Sequence, residues 1–174
     1  NNTNSGDDIM KKVFSLFVLL FLFGCSLNNS PTSKVEELLN KYQMLDADIK
    51  SEIDSITDKE NLTETQKDRY KKIIESQYKN LSYEIKDEKI DGDIATITVQ
   101  IKVTDYKKVI KEVDEEFKDK EYTLEEYNNA KLDKLEKAKD TVVYTLELNV
   151  NKTGDEWKVD SLSNIDKKKL QGMY

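Results

Sequence analysis

"DGDIATITVQIKV", Asp91–Val103, decides the fold. Ala95, Ile97, Val99, Ile101 and Val103 alternate with Thr96, Thr98, Gln100, Lys102 and Thr104. A period of two sends the first set to one face and the second to the other. One face is dry and one is wet, as in an antiparallel sheet backed on one side only. Asp91-Gly92-Asp93 supplies a turn in front of the strand, and Leu81, Tyr83 and Ile85 alternate in the same way before the turn. The segment therefore reads as a β-hairpin with a single buried face.

Working outward, the period on the N-terminal side changes to that of a helix. Val35, Leu38, Leu39, Tyr42, Leu45, Ile49, Ile53 and Ile56 form one apolar stripe from Ser33 to about Ile56. Ser33 with Glu36 reads as a capping box at its start. Asp58–Asn61 is a polar break. Thr63-Glu64-Thr65-Gln66 caps a second helix, whose stripe is Tyr70, Ile73, Ile74, Gln77, Tyr78 and Leu81. After the hairpin, Val109, Ile110, Val113 and Phe117 mark a helix from Tyr106 to about Lys118. Thr123-Leu124-Glu125-Glu126 begins another, or a continuation after a kink, that runs to about Lys139. Val142, Tyr144, Leu146, Leu148 and Val150 form a strand, Asn151–Asp155 turns it, and Trp157 and Val159 lie in its partner. Ile165–Leu170 reads as a last short helix.

The order α-α-β-β-α(α)-β-β predicts an α+β fold, with N-terminal helices packed on a curved antiparallel sheet of about four strands. A coiled coil over residues 33–57 is the rival reading, and the strand signals downstream favour packing on a sheet. The inward positions of the strands are Ala, Ile, Val, Leu, Tyr and Trp, and alternation places no carboxylate among them.

Composition narrows the function. The 174-residue chain has 28 Lys+Arg against 35 Asp+Glu, a net charge of −7, and Arg69 as its one arginine. A nucleic-acid binder presents a basic face rich in arginine forks, so this class is set aside. Histidine is absent, which removes the commonest general base and transition-metal ligand. The single cysteine, Cys25, permits neither an internal disulfide nor a cysteine zinc site. The acids of Lys111–Tyr122 alternate with lysines on a helical run and read as a solvated face. No nucleotide or hydrolase fingerprint occurs, and no cofactor is expected.

Cys25 has a better explanation. Met10-Lys11-Lys12 forms a positive start, Val13–Phe23 is an apolar run too short to span a bilayer, and Gly24-Cys25 closes it. The segment resembles a bacterial lipoprotein signal, with Leu22-Phe23-Gly24-Cys25 similar to a lipobox; Phe23 is larger than is usual at its position. The resemblance implies cleavage between Gly24 and Cys25 and a diacylglycerol on the Cys25 thiol. Residues 1–9 then read as an upstream extension, 10–24 as the signal, 25–33 as a polar tether and 34–174 as one domain. Two acyl chains suffice for stable anchoring. Membrane attachment through Cys25 at the extracytoplasmic face follows as an expectation.

The element order, with "GDEWKVDSLS" (Gly154–Ser163) and "DGDIATITVQIKV", resembles the nuclear-transport-factor-two-like (cystatin-like) superfamily, in particular small lipoproteins of low-GC Gram-positive bacteria. The resemblance implies a cone-like sheet that wraps the helices and encloses a ligand, an active site or only core. Enzymes of the superfamily place an acidic base inside the cone, and no residue here matches that role. Tyr83, Tyr144 and Trp157 fall on inward faces and are the candidate lining of a pocket; the core is the competing explanation for all three. The sequence therefore favours a non-enzymatic, lipid-anchored binding domain with a protein or cell-envelope partner. The alternative is a carrier of a small apolar ligand in an aromatic-lined cone, and an enzyme ranks last.

Overall fold

The structure is a computed structural model and describes residues 29–174. Gly24, Cys25 and the signal-like segment lie outside the described residues. Among those described, the chain forms α1 (Pro31–Met44), α2 (Ala47–Asp58), α3 (Glu64–Lys79), β1 (Ser82–Asp91), β2 (Ile94–Thr104), α4 (Tyr106–Phe117), α5 (Leu124–Lys137), β3 (Thr141–Thr153), β4 (Glu156–Val159) and α6 (Asn164–Leu170). The four strands make one antiparallel sheet in the order β1-β2-β3-β4. The fold is α+β, as the order of elements predicts.

The alternation of β2 holds throughout. Ala95, Ile97, Val99, Ile101 and Val103 are buried, and the residues between them are half-buried or exposed. β3 matches it in register: Ile97 faces Leu148, Val99 faces Leu146 and Ala95 faces Val150. α1 lies across this dry face and touches all four strands, laying Val35, Leu39 and Tyr42 on it. Each aliphatic side chain fully buried there contributes about 1.5–3 kcal/mol. Both hairpins close through two-residue turns that open on a glycine with positive φ, Gly92 at 61° and Gly154 at 63°.

The apolar stripe from Val35 to Ile56 is carried by two helices rather than one. Leu45 adopts the left-handed conformation at φ 51° and ends α1, while its side chain stays in the core. Asp46 then caps α2, its carboxylate accepting from the N–H groups of Asp48 and Ile49. An aspartate side chain offers the backbone this competing start, so the helix breaks with no glycine present. The same break excludes a continuous coiled-coil helix over residues 33–57.

α1 also starts earlier than Ser33. Ser30 is its N-cap and Ser33 answers it in a reciprocal box, with Pro31 pre-set in the first turn. The caps expected of Thr63 and Thr123 open α3 and α5. α4 and α5 are separate helices that form an excursion between β2 and β3. Its base is closed by the Asp105 N–H donating to the Asp140 carbonyl at 2.8 Å. Arg69 reaches from α3 to Asp133 and Glu136 on α5, at 2.6 Å to each, a two-acid grip that suits a guanidinium fork.

One carboxylate does reach the helix side of the sheet. A β-bulge between Ile85 and Asp87 inserts Lys86 and reverses the alternation, so that Glu88 lies opposite Ile97 and Ile90 opposite Ala95. At the rim Glu88 accepts from the backbone N–H and the hydroxyl of Thr32, in the first turn of α1. It remains exposed to solvent.

The buried amide of Gln77 joins three elements at the other end. It donates to the carbonyls of Thr104 (2.7 Å) and Gln171 (3.0 Å) and accepts from the Thr104 N–H (3.0 Å). Gly172 packs so closely here that a Cβ would lie 2.1 Å from the Thr104 carbonyl oxygen, and its φ is +70°. Gln77→Ala removes the partner of the buried Gln171 carbonyl and of the half-buried N–H and carbonyl of Thr104. Urea denaturation is expected to show a loss of about 3 kcal/mol, whereas replacing the exposed neighbour, Lys79→Ala, changes stability by less than about 0.5 kcal/mol.

Candidate functional site

The helix side of the sheet is filled. Ile97, Val99, Ile101, Leu146 and Val150 are fully buried among α1, Ile53, Ile74 and Tyr78. The concavities open instead on the surface, at the two ends of the sheet.

The first is a groove of about 570 Å³ between α1 and β4. Lys34, Glu37, Leu38 and Lys41 recur at helical spacing and form one wall, and Glu156–Val159 form the other. Leu38, Trp157 and Val159 make an apolar floor. Lys34 and Glu156 pair across it at 3.2 Å, and Lys152 Nζ lies 5.7 Å from the Trp157 ring. Asn29 is fastened beside it: the Trp157 N–H donates to its Oδ1 at 3.0 Å, and its Nδ2 donates to the Asp155 carbonyl at 2.6 Å.

The second, of about 740 Å³, lies at the opposite end beside the base of the α4–α5 excursion. Val142, Tyr144 and Tyr174 form its apolar side, and Lys107, Lys108 and Lys111 stand opposite with acids between them. The Tyr144 and Tyr174 rings meet edge to face at 5.8 Å, and the Tyr144 hydroxyl donates to the Tyr174 carbonyl at 3.1 Å. Lys169 Nζ sits 5.0 Å from the Tyr174 ring.

The three aromatic residues singled out from the sequence therefore share a face but no common space. Tyr83 and Tyr144 flank Ile101 in one row across β1, β2 and β3. Ile101 fills the space between them. The Tyr83 hydroxyl donates to Asn40 Oδ1 at 3.2 Å. Trp157 pairs with Lys152, eight residues along β3 from Tyr144, or about 26 Å at 3.3 Å per residue. Each groove takes one of them, Trp157 in the first and Tyr144 in the second.

A partly buried polar cluster lies elsewhere, between helices. The Tyr42 hydroxyl donates to Glu52 Oε2 at 3.3 Å, its ring meets that of Tyr78 edge to face at 5.0 Å, and Lys167 Nζ is 3.4 Å from Glu52 Oε1. The Tyr78 hydroxyl, beside Gln171, makes no hydrogen bond of good geometry. Burial pushes the hydroxyls of Tyr42, Tyr70 and Tyr78 well above the ordinary tyrosine range, and Glu52 adds to the shift at Tyr42 and Tyr78. They are neutral groups at any physiological pH. The sequence held a signal for Glu52, which falls three residues after Ile49 and four before Ile56, inside the apolar stripe.

The acidic run on α4 does not converge on a cation. The Asp114 carboxylate accepts from the Tyr127 hydroxyl, and Glu116 pairs with Lys134 at 2.8 Å, so both brace α4 on α5. Burial, with Asp114 beside it, pushes the Tyr127 hydroxyl up to about 12. Phe117, Tyr122 and Tyr127 pack into a small aromatic cluster within the same helical hairpin.

Among the described residues, site and fold thus define an α+β domain with a packed dry face and surface grooves at either end of the sheet. No known protein family matches the sequence, and no curated protein matches it. Among solved structures, the chain is similar to a candidate lipoprotein (ycdA) of Bacillus subtilis subsp. subtilis str. 168, with 20% identity and a TM-score of 0.43 over 92% of this chain and 54% of that one. The chain spans about half the length of that neighbour.

Trp157 is the chain's one tryptophan and reports on the first groove. The residue is 8% exposed, so acrylamide is expected to quench its emission weakly. Asn29→Ala should raise the quenching constant without lowering the unfolding midpoint by more than a few degrees. Strong quenching in the unaltered chain would show that Trp157 is not packed into the floor of the groove.

Proposed function

We propose that this chain is a lipid-anchored binding domain at the extracytoplasmic face of a bacterial membrane, with Cys25 as its attachment point. The observation that carries the reading is Leu22-Phe23-Gly24-Cys25 placed directly before a domain whose dry face is fully packed. Among the described residues no helix is long and apolar enough to cross a membrane. A partner therefore meets the surface, where the grooves offer apolar floors under mixed charge. That chemistry suits a polypeptide or a polar cell-envelope component.

The reading is non-enzymatic. General acid–base chemistry needs an ionisable group of tuned pKa within reach of a substrate. The buried tyrosines are neutral and packed between helices, and Glu52 is engaged by Tyr42 and Lys167. A small-ligand carrier is not favoured, because Tyr83, Tyr144 and Trp157 enclose no shared volume. Membership of the nuclear-transport-factor-two-like superfamily belongs to the same proposal and is supported by the helix and strand order.

Metabolic labelling with a palmitate analogue in a Gram-positive host tests the anchor. The full chain is expected to take up label and sediment with membranes. Cys25→Ser should take up none and appear in the medium. Label retained by Cys25→Ser, or absent from the unaltered chain, overturns the proposal.

A further inference from the structure

We propose that the end of the sheet bearing the β1–β2 and β3–β4 turns is a lipid-facing surface, and that the Tyr144–Tyr174 end is turned away from the bilayer. The inference rests on the lipid at Cys25 and adds what that reading leaves open, namely which surface meets the membrane and which meets a partner.

The argument begins at Asn29. Its side chain both accepts from the Trp157 N–H and donates to the Asp155 carbonyl, so the chain is fastened to the β3–β4 turn before the first helix begins. Ser30 caps α1 immediately afterwards, and Thr32 is held by Glu88 of β1. Only Ser26, Leu27 and Asn28 separate Asn29 from Cys25. Four fully extended steps span at most about 14 Å. Asn29 is thus confined to within about 14 Å of the lipidated residue, and the Gly154–Asp155 turn is hydrogen-bonded directly to it.

The sheet is longer than that leash. β3 has 13 residues, or about 43 Å of strand, and Tyr144 lies about 30 Å along it from Thr153. One end is held close while the other is free to stand clear. The β1–β2 turn belongs to the held end, since Ile94 pairs with Asn151 and the Lys152 N–H donates to the Asp93 carbonyl at 2.8 Å.

Surface charge agrees with this polarity, while exposed apolar side chains occur at both ends, Val143 (56%) and Tyr174 (53%) at the far one. Ile90 and Ile94 flank the β1–β2 turn and are 53% and 57% exposed, large apolar side chains next to the tether. Lys34, Lys89, Lys152 and Lys158 nearly balance Glu88, Asp91, Asp93, Asp155 and Glu156 there. The α4–α5 excursion, Asp105–Asp140, has three more acids than lysines. An anionic bilayer repels the excursion more strongly than the turns. The Trp157 groove therefore lies on the lipid side, and the groove of Lys107, Lys111, Tyr144 and Tyr174 is the one presented outward.

Fluorescence transfer to the bilayer tests this. Cys25 is acylated in the mature chain, so an introduced cysteine is its free thiol. Asp93→Cys and Lys139→Cys, both at exposed positions, place a donor dye at either end. The lipidated full chain is reconstituted in phosphatidylglycerol–phosphatidylethanolamine vesicles carrying a headgroup acceptor. Transfer from position 93 is expected to exceed that from position 139 by roughly twofold, given the ~30 Å between the ends. Inserting about ten Gly/Ser residues after Asn28 should abolish most of the difference. Equal transfer from the two positions, or more from 139, in a chain that floats with the vesicles overturns the orientation alone. An unaltered chain that fails to float overturns the lipid reading and the orientation with it.

Discussion

The burial of one face of β2 and β3 beneath α1 is the constraint on which the rest depends. A sheet with one dry face must be covered, and this chain covers it with α1, which crosses all four strands, and with side chains of α2 and α3 such as Ile53, Ile74 and Tyr78. The edge strands β1 and β4 then pair outward from the two central strands. α3 packs on α1, α2 and α5 pack on α3, and α4 packs on α5, while the polar outer face of Thr96, Thr98 and Gln100 is turned toward water. A core built in this way has no vacancy at its centre. That is why the concavities occur at the ends of the sheet, where α1 stops covering it.

Polar clamps set the relative positions of these parts. Gln77 secures the end of α3 to the end of β2 and to the segment after α6. Its three bonds are worth more than exposed pairs because each would otherwise leave a desolvated backbone group. Arg69 grips α5 from outside, and Asn29 fastens the incoming chain to the β3–β4 turn. The last of these fixes where the chain enters the domain, at the β3–β4 turn.

Much of this was legible in the chain. The period-two run from Ala95 to Val103, the caps at Thr63 and Thr123, and the turns at Gly92 and Gly154 each carry a local signal strong enough to survive folding. Local signals fail where a neighbour intervenes. Leu45 belongs to an apolar stripe, yet Asp46 draws the backbone into a new helix start. The bulge at Lys86 reverses the phase of β1, so that Glu88 faces α1. Nothing in the spacing around Asn29 announces that its amide bonds to residues more than a hundred positions away. The candidate site was half legible for the same reason. The inward faces of Tyr83, Tyr144 and Trp157 follow from alternation, but whether inward residues meet depends on their distance along the strand and on what fills the space between.

By itself the sequence determined the α+β class, the dry face of the central hairpin, and the absence of histidine and of an internal disulfide. These follow from residue identity and from periods of two and 3.6, which are properties of neighbouring positions. Only the tertiary structure decided that Ile101 separates Tyr83 from Tyr144, that Trp157 lies at the far end of β3, and that Asn29 holds the approach to α1 against the β3–β4 turn. Those depend on register, on a bulge and on contacts between residues distant in the chain, and they arise only once the strands have paired and α1 has closed over them.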